Sequence, residues 1–327
     1  MSKRKSLIAV IWLPALLVLL SACGGADTAA PATTVVPAAS ANNEKLDVVA
    51  TFSILGDLVQ NVGGDRVAVR TLVGPGGDAH TFEPSPADSV ALSEASLVFE
   101  NGLGFEPWLD ELYTSSGSRA TRVVVTERIE PTKVMEGGEQ AERDQPGHAE
   151  SDPHVWSDAG NAIRMVESIR DALAKADTAN ADAYNANAEG YLAELKGLDD
   201  FIVAETNKLP PQRRKLVTIH DTFGYFARRY GYEMVGTALG STSTEAADPS
   251  AGELANLIEQ IKAAGVPAIF AENVHNPDLM NRIAAEAGVK LGPSLYTDAL
   301  GEPGSEGDTY LKMMRYNVSA IVTALGS

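Results

Sequence analysis

Cysteine is almost absent from this chain, which has Cys23 alone among 327 residues. One cysteine cannot form an internal disulfide or a metal centre built from several thiolates. It follows a basic start at residues 3–5, an apolar run over 6–20 and the tripeptide Leu-Ser-Ala. This pattern is typical of a bacterial signal peptide that is cut before a cysteine, which then receives lipid. We therefore predict a signal peptide over 1–22 and an exported protein, lipid-anchored through Cys23 to the outer face of the cytoplasmic membrane.

Positive charge and long apolar runs are also scarce. The chain has 26 Lys and Arg against 44 Asp and Glu, which gives a formal net charge of -18. Such an acidic surface disfavours nucleic acid and anionic lipid as partners. The run over 6–20 is too short for a good transmembrane helix. The sequence has no GxxxxGK[ST] phosphate loop and no HExxH motif, so neither an ATPase nor a common type of zinc hydrolase is indicated.

The remaining chain alternates short β-branched runs with helical stretches. Residues 24–45 are rich in Ala, Thr, Pro and Asn and predict a flexible tether. We predict strands at 46–52, 67–73, 97–100, 122–126, 216–219, 233–238, 266–271 and 289–291. We predict helices near 55–62, 86–94, 105–113, 158–175, 222–230, 249–264, 277–287 and 308–325. This alternation predicts an α/β fold with parallel sheets.

One helix is expected to be much longer than the others. Residues 178–209 contain no proline before Pro210, and apolar residues recur there at spacings of three and four. About 30 helical residues would span roughly 45 Å. We predict an N-terminal lobe over 46–177, this helix as the link, and a C-terminal lobe over 210–327. An acidic stretch at 135–152, which contains His148, is expected to be a mobile loop that opens towards His154.

Histidine is scarce as well, with 5 in the chain, yet three of the five lie in similar settings. His80, His154 and His220 each follow a turn or a strand, and Asp298 follows Leu-Tyr-Thr in a comparable position. In open α/β sheets, ligands bind beyond the carboxyl ends of the strands. Three imidazoles and one carboxylate suit a divalent ion such as zinc. Each residue alone could equally be a turn or core residue, and only the set favours a metal site.

The neighbours of these residues predict supporting roles. Asp152 is placed to hold the second ring nitrogen of His154, and Ser157 or Asp158 to cap the following helix. Asp221, next to His220, is interpreted as a helix cap rather than as a catalytic partner. His275 is interpreted as a surface residue.

Seven segments together resemble one known family. They are NGLGFEPWL, GDAHTFEPSP, DPHVWSD, the long helix, HDTFGYFARRYGY, FAENVHNPDL and YTDALGE, and the resemblance covers the chain from about residue 46 to its end. They resemble the metal-specific solute-binding proteins of ABC importers, the TroA-like family. The resemblance implies two Rossmann-like lobes, one long rigid backbone helix, and one metal between the lobes held by His80, His154, His220 and Asp298. It also implies a membrane permease and its ATPase subunit as partners, and we expect a monomer.

The metal and the function class leave alternatives. Zinc members of the family have His at the third ligand position, where manganese or iron members commonly have Glu. His220 therefore favours Zn²⁺, with Mn²⁺ as the alternative. A zinc hydrolase would need an open water position and a base such as Glu83, Glu106 or Glu272, and we interpret the last two as residues that stabilise loops or ion pairs. A surface adhesin built on the same fold is the third class considered.

Overall fold

The N-terminal half of the fold is built on one parallel sheet. The computed structural model describes residues 45–132 and 151–327. The four strands of the sheet are β1 (Leu46–Phe52), β2 (Val67–Val73), β3 (Leu97–Glu100) and β4 (Thr121–Val124). They lie in the order β2-β1-β3-β4, and every adjacent pair is parallel. Parallel neighbours need crossover connections, which the intervening helices provide.

The C-terminal half repeats this plan with shorter strands. They are β5 (Lys215–Thr218), β6 (Glu233–Thr237), β7 (Ala268–Ile269) and β8 (Lys290–Leu291). Strand β5 pairs with β6 and β7 pairs with β8, both in parallel. The amide of Phe270 donates to the carbonyl of Val217 at 3.0 Å, which joins β7 to β5. Beyond the ends of β7 and β8, Glu272 and Leu295 form an isolated parallel bridge.

Nine helices are found within the described residues, and the longest, α5, contacts both halves. Their bounds are α1 (Ser53–Gly63), α2 (Pro86–Glu94), α3 (Leu109–Ser116), α4 (Ala159–Ala176), α5 (Ala181–Thr206), α6 (Gly224–Tyr230), α7 (Ala251–Ala264), α8 (Asp278–Ala287) and α9 (Tyr310–Gly326). Helix α5 packs against α1 and α4 of the N-terminal half and against α6 and α9 of the C-terminal half. No helix in the described ranges is both long and apolar enough to cross a membrane.

The apolar stripe of α5 belongs to the main core. Tyr184, Tyr191, Leu195 and Leu198 are buried along it, in one cluster with core residues from both halves. Burial of apolar side chains is the main favourable contribution to such packing. The helix is continuous through two glycines, so the break that glycine can introduce does not occur here.

The predicted α/β fold with parallel sheets is confirmed, while several predicted boundaries were wrong. Helix α3 begins at Leu109 rather than at residue 105, because the backbone before it turns through positive φ at Gly102, Leu103 and Gly104. Helix α6 begins at Gly224, two residues later than predicted. The division into lobes at 177 and 210 stays a prediction. The signal peptide, Cys23, the tether and most of the acidic 135–152 segment with His148 lie outside the described residues.

Candidate metal centre

The four side chains predicted to be ligands converge on one buried point. The Nε2 atom of His154 lies 3.3 Å from the Nε2 atoms of both His80 and His220. The Oδ2 atom of Asp298 lies 3.1 Å from Nε2 of His220 and 3.6 Å from Nε2 of His80. Its Oδ1 atom lies 3.6 Å from Nε2 of His154. None of the four residues is more than 4% exposed.

The spacing of these atoms fits a small cation. An ion held tetrahedrally at about 2.0–2.1 Å places its ligand atoms about 3.3–3.4 Å apart. The separations given above span 3.1 to 3.6 Å around that value. The Oδ2 atom of Asp298 is buried, and its 3.1 Å contact with Nε2 of His220 lacks hydrogen-bond geometry, so no described residue donates a well-formed hydrogen bond to it. A buried carboxylate oxygen without a hydrogen bond is costly, and a cation between it and the imidazoles would satisfy it.

His80 is positioned through the backbone of its loop. Its amide donates to Oδ1 of Asp78 at 2.9 Å, and the indole of Trp108 donates to the carbonyl of Ala79 at 2.7 Å. The imidazole packs edge-on against Phe105, with ring centroids 4.8 Å apart. These backbone contacts and the aromatic neighbour position the ring, and no carboxylate among the described residues contacts its Nδ1.

His154 is positioned through both its backbone and its ring. Oδ1 of Asp152 lies 2.9 Å from the amide nitrogen of His154 and 2.9 Å from its Nδ1. A proton held on Nδ1 by the carboxylate leaves the lone pair of Nε2 facing the cluster. The predicted role of Asp152 is therefore confirmed. Asp158 caps α4 by accepting from the amide of Gly160, also as predicted.

His220 lies just beyond the end of β5 and depends on a residue 52 positions away. Oε1 of Glu272 accepts from the amides of Ile219 and His220, at 2.7 and 3.1 Å. Its Oε2 lies 2.5 Å from Nδ1 of His220. The prediction that Asp221 caps the next helix was wrong, since Phe223 occupies the cap position without a side-chain bond. The amide of Asp221 instead donates to the carbonyl of Ser241 at 2.8 Å, which delays the start of the helix.

Asp298 sits in a loop tied to both halves of the fold. The carbonyl of Thr297 accepts a hydrogen bond from the indole of Trp156 at 2.9 Å. The amide of Leu300 donates to Oγ of Ser53 at 3.0 Å, and its carbonyl accepts from the amide of Gly76 at 2.9 Å. The loop that carries the carboxylate is thus held by residues from the N-terminal half.

The charges of the cluster are unevenly distributed. Burial, opposed in part by Asp298, lowers the pKa of His80 to about 4, so this imidazole is neutral near pH 7. Burial would also lower the pKa of His220, but the carboxylates of Glu272 and Asp298 outweigh it and hold that pKa well above its ordinary value. Burial would raise the pKa of Asp298, but the imidazoles of His220 and His154 hold it well below the ordinary range. Without metal, the cluster therefore keeps a proton on His220 beside an ionised Asp298.

His275, which was interpreted as a surface residue, is half-buried and lies beside His220. Among the described residues, two groups of His and carboxylate side chains place their ligand atoms within 4.8 Å of one another. One is the set of four above, and the other is His220, Glu272 and His275. The ring centroid of His275 lies 5.9 Å from that of His220, and its Nε2 is buried. Its sequence FAENVHNP has no spacing that would have linked it to His220.

Two of the glutamates considered as catalytic bases, Glu106 and Glu272, accept hydrogen bonds that stabilise loops. Glu106 is buried and accepts from the hydroxyl of Thr51 and the amides of Asn101 and Gly102. Burial raises the pKa of Glu106 to about 7 despite these bonds. Glu272 holds the His220 backbone and ring, so both act as the predicted loop stabilisers.

The parallel α/β fold and the buried cluster between its halves define a class, that of metal-binding solute-binding proteins. A protein family described as zinc-uptake complex component A, periplasmic (ZnuA), matches residues 48–324, most of the chain. The chain belongs to this family of solute-binding proteins for metal ABC transporters, which are not enzymes. Membership implies a divalent metal as the bound solute, and a permease and ATPase as partners.

Known relatives differ in the metal that their names specify. The chain is 33% identical to the manganese-binding lipoprotein MntA of Halalkalibacterium halodurans, over 94% of each chain. It superposes on the periplasmic zinc-binding protein TroA of Treponema pallidum with a TM-score of 0.77 and 30% identity, covering 86% of this chain and 99% of that one. A manganese-bound periplasmic metal-binding protein of Candidatus Liberibacter asiaticus gives a TM-score of 0.76 and 29% identity, covering 86% and 100%. The comparisons therefore do not single out zinc.

Proposed function

We propose that this protein captures one divalent ion with His80, His154, His220 and Asp298 and delivers it to a membrane permease. The observation that carries the proposal is the convergence of three imidazole nitrogens and one unsatisfied carboxylate oxygen on a single buried point. Four protein ligands fill a tetrahedral shell, so the bound ion has no open position for a reactive water. A closed site is suited to carrying an ion rather than to catalysis.

Zinc is the ion that we propose as the preferred cargo. Imidazole is a good ligand for zinc, whereas manganese favours oxygen ligands and a larger coordination number. The cluster supplies three nitrogens and one carboxylate, and its separations suit distances of about 2.0–2.1 Å. The manganese-binding names of MntA and of the Liberibacter protein support Mn²⁺ as the alternative.

A competition experiment separates the two ions. The purified chain should be stripped of metal, offered equimolar Zn²⁺ and Mn²⁺, and analysed for bound elements. We expect one zinc per chain with manganese excluded, and we expect His220→Ala to abolish tight zinc binding. Retention of manganese over zinc would overturn the choice of metal but leave the metal-carrier function intact. No bound divalent ion of either kind would overturn the function itself.

The proposed location is the outer face of the cytoplasmic membrane, with the protein held by lipid on Cys23. The sequence pattern before Cys23 supports this, as does the name lipoprotein carried by MntA. In a bacterial host, Cys23→Ala should leave the precursor uncut or release the protein from membranes. Normal processing with unchanged membrane retention would contradict the proposed anchor. We propose a monomer, and an added adhesive role has no supporting feature among the residues described.

A further inference from the structure

Thr222 lies two residues after His220 in the same loop, and its side chain reaches Asp298. The amide of Thr222 donates to the carbonyl of His220 at 3.1 Å. Its hydroxyl donates to Oδ1 of Asp298 at 3.4 Å, and among the described residues no other group donates a hydrogen bond to this oxygen. Thr222 is 1% exposed and Asp298 is fully buried. Because solvent does not reach either side chain, the hydroxyl is the group that satisfies Oδ1.

The two oxygens of the Asp298 carboxylate therefore have different surroundings. Oδ2 lies 3.1 Å from Nε2 of His220 and 3.6 Å from Nε2 of His80, and it has no well-formed hydrogen bond. Oδ1 lies 3.6 Å from Nε2 of His154 and accepts the bond from Thr222. A hydrogen bond draws electron density from its acceptor, so Oδ1 is the poorer donor to a metal. An ion between the imidazoles is offered one free oxygen and one that is already engaged.

Coordination number is the property that separates zinc from manganese here. Zinc in a closed site is usually four-coordinate, whereas manganese favours more oxygen ligands and a larger shell. The four proposed ligands are at most 4% exposed, so a fifth ligand is most readily supplied by the protein. The carboxylates of Asp152 and Glu272 contact Nδ1 of His154 and His220, the ring nitrogens that face away from the cluster. The extra ligand atom nearest to hand is Oδ1 of Asp298.

We propose that Thr222 is a specificity-determining residue, whose hydroxyl holds Oδ1 of Asp298 back from the ion and so favours zinc over manganese. This inference rests on the proposed metal-carrier function and deepens its choice of cargo. Zinc binds through Oδ2 alone and keeps the Thr222 bond. Manganese gains a fifth ligand only by weakening that bond, so the hydroxyl lowers the affinity for manganese relative to zinc.

The test compares variants that remove the hydroxyl with one that retains it. Thr222→Val and Thr222→Ala remove it with and without filling the space, and Thr222→Ser retains it. Thr297→Val is the matched control, because Thr297 is also buried and adjoins Asp298 but its hydroxyl lies 3.5 Å from Oε2 of Glu272. Zinc and manganese affinities of each protein would be measured separately by competition with a chelator. Circular dichroism of the metal-free proteins would check that each variant folds.

The measured quantity is the ratio of zinc affinity to manganese affinity. We expect this ratio to fall about 3- to 10-fold in Thr222→Val and Thr222→Ala, the effect of losing one hydrogen bond. Thr222→Ser and Thr297→Val should keep a ratio close to that of wild type. An unchanged ratio in Thr222→Val and Thr222→Ala would overturn the proposal, even if both affinities fell. An equal fall of the ratio in Thr297→Val would overturn it as well.

The coordination of Asp298 gives a second readout that does not depend on affinity. In crystals of the zinc-loaded wild type, we expect only Oδ2 of Asp298 within about 2.2 Å of the ion, with Oδ1 still bonded to Thr222. In manganese-loaded Thr222→Val, we expect both oxygens on the ion. Two Asp298 oxygens on zinc in the wild type would overturn the proposal and leave the metal-carrier function intact. Failure of the wild type to bind either ion would overturn the proposed function, and this inference with it.

Discussion

The loops that carry His80 and His220 hold the same side chain in opposite electrostatic states. The His80 loop fixes its imidazole through backbone contacts to Asp78 and Trp108, and burial lowers its pKa to about 4. The His220 loop places its imidazole between Glu272 and Asp298, and these carboxylates raise its pKa despite complete burial. At His80, burial outweighs the nearby Asp298 carboxylate and produces a neutral donor that is ready for metal. Burial between carboxylates produces a donor that must first lose a proton.

The largest effect is expected from removing the carboxylate that faces both loops. Asp298→Asn keeps the side-chain shape but leaves the ion without its anionic ligand. Zinc affinity should fall by more than about 100-fold, since loss of a group that merely orients a ligand costs about 10- to 100-fold. Competition with a chelator at pH 7.5 measures the change.

Asp78→Asn is the matched control for that variant. Asp78 accepts from the His80 amide and from the hydroxyl of Thr244, but it is not one of the four proposed ligands. Its loss should weaken zinc binding much less than Asp298→Asn. Equal losses in the two variants would mean that net charge near the site, rather than coordination by Asp298, governs affinity.

The second-largest effect is expected from changing Glu272, whose carboxylate contacts Nδ1 of His220. Glu272→Gln removes the charge at Nδ1 of His220 while an amide oxygen can still accept from the backbone. We expect a loss of about 10- to 100-fold in zinc affinity, the usual size for such partners. The pKa of His220 in the metal-free protein should also fall, which histidine NMR can follow. An unchanged His220 pKa would contradict the proposed difference between the His80 and His220 loops.

The third effect is the pH dependence of zinc binding. Metal displaces the His220 proton, so affinity should rise with pH and approach about tenfold per pH unit per proton displaced while pH stays below the pKa of His220. His80, with a pKa of about 4, should add nothing above about pH 5. Proton release at pH 7, measured by calorimetry in buffers of different ionisation enthalpy, should be near one per ion. Release near zero would contradict the protonated state of His220.

The smallest effect concerns the metal-free protein. Between pH 6.5 and 4 the unfolded chain takes up a proton at His80 that the native protein does not, so stability falls as the pH falls. His80→Gln should remove this loss, worth up to about 2 kcal/mol at pH 5. For His220 the sign is reversed: its raised pKa stabilises the native state below about pH 6.5, and that contribution is lost as pH rises through the folded pKa.

Chemical unfolding of metal-free wild type, His80→Gln and His220→Gln at pH 5 and 7.5 checks both signs. His80→Gln should lose less stability on acidification than wild type, and His220→Gln should lose more. The same slope in all three proteins would contradict the contrast between the two loops.

The strands of the N-terminal half could be predicted from the sequence. The length of each β-branched run, and its alternation with helical stretches, are local properties of the chain. The predicted bounds of β1, β2 and β3 agree with those observed. It also predicted Asp152, since a carboxylate two residues before a histidine can reach that ring. Local patterns failed where the backbone takes positive φ before α3, because Leu103 has no local preference for that conformation.

Long-range partners were beyond the reach of local patterns. Glu272 was noted only as one of several glutamates, and its contact with His220 depends on the long-range approach of the β7 region to β5, where Phe270 bonds to Val217. The position of His275 follows from the turn after Glu272 and gave no periodic signal. Convergence of the four proposed ligands could be anticipated only through the α/β rule that binding sites lie beyond strand ends, together with the family resemblance.

The central claim is that one divalent ion is held by four protein ligands, two from each half of the fold. A crystal structure of the zinc-loaded protein, with anomalous data collected on both sides of the zinc edge, tests it most directly. We predict one strong peak within about 2.0–2.2 Å of Nε2 of His80, His154 and His220 and of a carboxylate oxygen of Asp298, with no bound water. A peak that lacks His220 or Asp298 as a ligand, or one completed by water, would contradict the account.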